Sequence, residues 1–259
     1  MKTFKLFFVL WVMVGGTRLG YAEEWKEYKK SHFIIYYQSA PFDFVENVEQ
    51  SAERYYEDIA RNLGFTRYKG WAWDERAKIY IYDSAEHYVQ EAKQASWSHG
   101  SVSPSGKVIR TFPMAHGFFD STLPHEIGHI VFREFVGLEA QVPLWFEEGV
   151  AMYQEQAKRW GAHAAVREAI QNGTFIPLEE LTIMVLRGKT DEALVQLFYA
   201  ESASIVNFMM NELGKQRFVN FCRELQESKS FDWTLDSIYA RFDTIEDLNK
   251  AWIKYLEQP

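Results

Sequence analysis

The chain has 259 residues, of which 47% are hydrophobic and 25% charged, with a formal net charge of −8. That length allows one compact domain or two lobes around a cleft. The acid excess, with no basic cluster, speaks against nucleic acid as a partner, and the single cysteine, Cys222, excludes an intramolecular disulfide.

The chain opens MKTFKLFFVLWVMVGGTRLGYA. Lys2 and Lys5 precede an apolar run from Leu6 to Val14, and Gly20-Tyr21-Ala22 supplies small residues for cleavage. This is the pattern of a secretory signal peptide cut after Ala22. The run is shorter than the ~20 residues that a bilayer span requires, so no stable membrane span is expected after cleavage. The expected mature chain, residues 23–259, is secreted or periplasmic. Its charge is −11, because the removed segment carries Lys2, Lys5 and Arg18 and no acid.

The pattern then predicts alternating elements. SHFIIYYQS (31–39) reads as a strand. Over 43–63, Val45, Val48, Ala52, Tyr55, Ile59 and Leu63 fall at helical spacing, and Gly64 ends the run. AKIYIYD (77–83) alternates with period two and reads as a second strand, followed by a helix over 84–95. A loop rich in Gly, Ser and Pro leads into a third strand, Lys107 to Phe112. Strand signals stop there. Helices are predicted over 120–136, ended by Gly137, and from Pro143, which suits a first helical position. Others follow at 163–171, 192–213, 215–226 and 244–256. Cys222 shares an apolar stripe with Phe218, Phe221 and Leu225 and reads as a buried small hydrophobe. The expected class is therefore α+β, with an α/β lobe over about 23–118 and a helical lobe over about 119–259.

At the junction stands STLPHEIGHIVF (121–132), which holds two of the seven histidines. Residues four apart share a helix face, so His125 and His129 can aim two imidazoles at one point, as zinc requires. Glu126 is rotated from that face and can reach a water there as general base. PLWFEEGVAMY (143–153) offers a third ligand, Glu148, eighteen residues beyond His129. A short connection from Gly137 to Pro143 lets the two helices pack as a hairpin. Two nitrogens, one carboxylate and an open position are the composition of a catalytic zinc site. Glu147 competes, but adjacent residues differ by about 100° around a helix, so only one can ligate. Spacing and Gly149 favour Glu148.

HEIGH, eighteen residues and then Glu in a W-x-x-E-G-x-A segment (Trp145, Glu148, Gly149, Ala151) resembles the gluzincin metallopeptidases, with the spacing of aminopeptidase N-like and small secreted peptidase MA-like proteins. The resemblance implies a zincin-like fold with one zinc ion between the lobes. It also implies that the strand before the active-site helix, here Lys107–Phe112, pairs with an extended peptide or protein substrate. It further implies an oxyanion-stabilising residue. Tyr199, in LFYAESASIVNFM (197–209), is the candidate, with Tyr153 as the fallback.

Three departures refine this expectation. Where the thermolysin pattern has an aspartate bracing a histidine, this chain has Met152, so the brace comes from elsewhere, with Asp120 one candidate. Phe132 and Phe135 stand where metzincins need a glycine and a third histidine. No G-x-M-E-N segment is present to hold a substrate amino terminus. The expected activity is therefore zinc-dependent endopeptidase hydrolysis. The alternative is a non-catalytic, zinc-stabilised peptide-binding protein, which would have no use for Glu126.

Overall fold

A computed structural model describes residues 24–65, 75–93, 101–103, 105–113, 115–186 and 190–258. The expected signal peptide, 1–22, lies outside them. The sheet has five strands: β1 (Lys26–Lys29), β2 (Phe33–Tyr37), β3 (Ala77–Ile81), β4 (Ser101–Ser103) and β5 (Val108–Thr111). Their spatial order is β1-β2-β3-β5-β4. The pairs β2–β3 and β3–β5 are parallel, whereas β1 and β4 run antiparallel to their neighbours at the two edges.

Period-two alternation sends Phe33, Ile35, Ala77, Ile79, Ile81, Ile109 and Thr111 to one buried face. Helix α1 (Phe42–Leu63) contributes Val45, Val48, Ala52, Ile59 and Leu63 to the same core. It ends at Gly64, whose φ of 70° gives a left-handed cap.

Strand β1 was not foreseen, because KEYK has neither alternation nor an apolar face, and its pattern is almost wholly exposed. Strand β4 changes the expected substrate edge. It pairs with β5 through Ser101↔Arg110 and Ser103↔Val108, so the strand expected at the cleft is paired on both sides and β4 holds the edge. Lys107 itself precedes β5 with a positive φ of 49°. Its ammonium pairs with Glu134 and donates to the Glu75 carbonyl oxygen at 3.2 Å, tying this corner of the sheet to the next helix.

The rest of the chain is helical: α2 (Ala85–Glu91) lies between β3 and β4, and after β5 come α3 (Leu123–Val136), α4 (Leu144–Met152), α5 (Gln156–Asn172), α6 (Leu178–Ile183), α7 (Glu192–Asn211), α8 (Lys215–Ser228), α9 (Phe231–Ile238) and α10 (Ile245–Leu256). Helices α6 and α9 are short and escaped the periodicity reading. Immediately before α3, Phe118–Thr122 forms a wide π-type turn.

Helix α4 packs between α3 and α7, and an aromatic cluster anchors it. The Phe146 ring lies 5.2–5.7 Å from those of Phe132, Phe218, Phe221 and Phe231. The Trp145 indole donates to the Thr182 hydroxyl at 3.0 Å. Cys222 is fully buried beside this cluster, where burial pushes its thiol up. Helix α7 is long and apolar enough to cross a membrane by length and composition, but 61% of that stretch is buried inside the protein.

Candidate active site

Close helix packing is what brings the two motifs together. A Cβ on Gly128, within HEIGH, would stand 3.1 Å from the Ala151 Cα, so α3 and α4 touch almost backbone to backbone. Gly149 has the same role toward α7, where a Cβ would lie 2.2 Å from the Ser202 carbonyl oxygen. The Gly and Ala of W-x-x-E-G-x-A are thus contact residues, and they set how deep Glu148 reaches.

The result is a convergence of three groups. The Nε2 atoms of His125 and His129 are 3.1 Å apart. Glu148 Oε2 is 3.4 Å from the first and 3.6 Å from the second. One ligand atom from each of these residues lies within 4.8 Å of the others, a spacing that could hold a metal ion.

At His125 the outer nitrogen fixes which lone pair faces inward. His125 Nδ1 lies 2.9 Å from Glu155 Oε1. An ionised carboxylate only accepts, so the His125 Nδ1–H donates and its Nε2 lone pair points at the cluster. The other Glu155 oxygen accepts from the Ser121 hydroxyl, which the π-type turn delivers. His129 Nδ1 faces Glu147 Oε1 at 3.5 Å, an ion-pair distance at which no hydrogen bond is formed. Arg133 in turn grips both Glu147 oxygens, through Nε at 2.9 Å and through Nη2, and its Nη1 donates to the Ala140 carbonyl at 3.2 Å.

Glu147 and Glu148 therefore divide their work as their angular separation requires: one orients a histidine, the other converges with both. Sequence reasoning missed Glu155. It stands seven residues past Glu148, beyond the end of α4, where no local spacing marks it. Asp120, offered for this bracing, is exposed.

Charge reinforces the geometry. Burial opposes ionisation of His125 and His129, but the surrounding carboxylates outweigh it: Glu148 and Glu155 raise His125, and Glu147 with Glu148 push His129 up to about 10. Burial would raise Glu148 as well, yet its bonds to both histidines hold it well below the usual carboxylate range. Two Nε2 lone pairs and a carboxylate oxygen meeting at one point repel unless a cation sits among them. Protons fill that need in the metal-free protein, and a divalent ion with nitrogen and oxygen preferences fits the same donor set.

Glu126 is 9% exposed and flanks the cluster without bridging it. Burial raises its carboxyl, with the two histidines pulling the other way. Tyr199, on α7, is half-buried. Burial and then the negative charge of Glu148, Glu126 and Glu155 push its hydroxyl to about 12, which keeps it a protonated donor near the carboxylates. Tyr153 is directed elsewhere, toward Asn211 Oδ1 at 3.5 Å, and is buried.

No curated protein matches the sequence. Among solved structures, that of native yeast LTA4 hydrolase is similar with a TM-score of 0.53 and 15% sequence identity. The match covers 91% of this chain but only 39% of that protein, and at this identity the likeness is one of fold. Residues 64–258, which contain every residue of the cluster, match the profile of the Peptidase MA superfamily, and the chain belongs to that superfamily.

Proposed function

We propose that this protein is a zinc metallopeptidase of the gluzincin type, exported from the cytoplasm, that cuts peptides or proteins internally. Superfamily membership and the LTA4 hydrolase-like fold support a metallopeptidase. The observation that carries the finer reading is the set of inward lone pairs of His125, His129 and Glu148 with an unligated acid, Glu126, beside them.

In this reading His125, His129 and Glu148 hold one zinc ion. Bound there, zinc would acidify a water and polarise the scissile carbonyl. Glu126 takes a proton from the attacking water as its oxygen adds to the carbonyl carbon. Glu126 then gives that proton to the amide nitrogen as the C–N bond breaks, leaving a carboxylate and an amine. Tyr199 donates a hydrogen bond to the oxygen that becomes negative between these steps. Glu155 holds the His125 imidazole in the tautomer that leaves Nε2 free, and Glu147 orients His129. Strand β4, at the sheet edge, is the place for an extended substrate to pair.

The experiment is cleavage of a mixed peptide library by residues 23–259, zinc-loaded, beside Glu126→Gln. Internal cuts by wild type alone are expected. A Glu126→Gln protein that cleaves as fast as wild type would remove the general base from the mechanism. No cleavage by either, with zinc and peptide still bound, would favour the non-catalytic peptide-binding alternative.

A further inference from the structure

Next to the cluster, a cavity of about 330 Å³ opens between α5 and α7. Among the described residues its floor is Met152 and Ala162, both buried, and its wall is Tyr199 and Ala200. Gly161, Ala165 and Gln196 are exposed at the rim. The volume is near the lower bound of ligand pockets, roughly 300–1,000 Å³, and suits one large side chain better than a whole small molecule.

Two features connect this cavity to the chemistry. Met152 follows Glu148 by four residues, so the two share a face of α4 one turn apart. Tyr199 packs against Met152, Ala162 and Ala203, while its hydroxyl feels the charges of Glu148, Glu126 and Glu155. One side chain therefore borders both the carboxylates and the cavity. Among the described residues the lining contains no charged group, and its polar groups are the Tyr199 hydroxyl and Gln196 at the rim. A charged side chain buried there would lose its hydration among the apolar side chains that dominate the lining, whereas an apolar one would gain by leaving water.

We propose that the cavity receives a large apolar side chain, of leucine, methionine or phenylalanine size, from the substrate residue next to the scissile bond, and that the small residues Gly161, Ala162 and Ala165 set this preference by leaving the space open. The proposal rests on the peptidase reading above and names its substrate class. It also gives Met152 a use: at the position where the thermolysin pattern braces a histidine, this chain spends the side chain on a pocket floor and braces His125 with Glu155 instead.

The test is to fill the mouth from its exposed rim. A Cβ on Gly161 would meet nothing within 4 Å, so Gly161→Phe is the first variant, and Ala165→Phe, also at an exposed position, is the second. Both are first checked for an unchanged melting temperature. Wild type is expected to cut the library chiefly beside Leu, Met or Phe. The filled variants should lose kcat/KM at those sites on the order of 10- to 100-fold, while sites flanked by Ala or Gly stay within about threefold. Cleavage by wild type without an apolar preference, or a preference untouched in both variants, overturns the pocket and leaves the peptidase reading standing.

Absence of all cleavage sinks the peptidase reading, and a binding measurement then decides the pocket. Glu126→Gln protein is titrated calorimetrically with two blocked pentapeptides, a central Leu in one and a central Ala in the other. The Leu peptide is expected to bind at least about tenfold tighter, with the difference abolished by adding Ala165→Phe. Equal affinities overturn the assignment.

Discussion

A Cβ placed on Gly149 would stand 2.2 Å from the carbonyl oxygen of Ser202 and 2.6 Å from Val206 Cγ2. No side chain can be fitted there without separating α4 from α7, and Glu148 is the neighbouring residue on the same turn. Gly149→Ala should therefore act twice. It should destabilise the fold by at least ~1–3 kcal/mol, the usual cost of overpacking, and it should displace Glu148 and weaken metal binding. Gly161→Ala is the control, because its Cβ meets open space. In that exposed helical position the substitution should stabilise by roughly 0.5–1 kcal/mol. Urea melts and zinc content measured on both variants check this. Gly149→Ala with unchanged stability and full zinc would mean that the helices are not in this contact.

Replacing each of the adjacent glutamates should give different losses. Glu148→Ala removes one of three converging groups and should lose most bound zinc. Glu147→Ala should retain zinc at saturating metal, with affinity reduced about 10- to 100-fold, because it only orients His129. It should also be the less stable of the two. Arg133, which Glu147 grips in a partly buried pair, would be left unpaired at a cost of on the order of 3 kcal/mol. Metal analysis at limiting and saturating zinc, with thermal melts, separates the two. The reverse order of zinc retention would reassign the third ligand to Glu147.

Glu155→Gln tests the brace on His125. A glutamine can still accept the Nδ1–H, but it lacks the charge that stabilises that tautomer, and its amide nitrogen would face the Ser121 hydroxyl. Zinc affinity should fall about 10- to 100-fold with the fold intact. Asp120→Asn, at an exposed position, should leave affinity unchanged. A competitive chelator titration gives both numbers, and equal affinities for Glu155→Gln and wild type would show that the carboxylate charge does no orienting.

These comparisons also mark what could be read from the sequence. HEIGH and WFEEG carry their geometry locally: a separation of four places two imidazoles on one face, and a separation of one places Glu147 and Glu148 on different faces. The central strands were legible because Phe33, Ile35, Ile79 and Ile81 alternate into a buried face. Strands β1 and β4 were not, because edge strands need no apolar alternation and pair through their backbones. The edge position of β4 is decided by a crossover, β5 inserting beside β3, that no local pattern records. Glu155 and Ser121 meet across 34 residues. Either alone reads as an ordinary polar residue near a helix end.

Glu201 gives the clearest pH prediction away from the cluster. It lies on α7 with 0% exposure, its Oε1 accepts from the Ile176 N–H at 2.9 Å, and its Oε2 is buried without a hydrogen-bond partner. Burial raises its pKa to about 8, against an ordinary 4.5, with the Ile176 bond pulling slightly the other way. Between those two values the folded protein holds a proton that the unfolded chain has lost. Stability from this group is therefore full below about pH 4.5, falls with rising pH by up to ~1.4 kcal/mol per unit, and levels off above about pH 8. Glu201→Gln keeps an acceptor for Ile176 and cannot ionise. Compared with wild type, it should gain stability from pH 5 up to about pH 8 and then level off, with little difference at the acid end. Urea melts of both proteins at pH 5, 7 and 9, in fixed zinc, isolate this contribution, since the cluster titrates in both. A difference between the two proteins that does not change with pH would mean that Glu201 is already ionised in the fold at pH 5, and that its carboxylate has found a partner or a route to water.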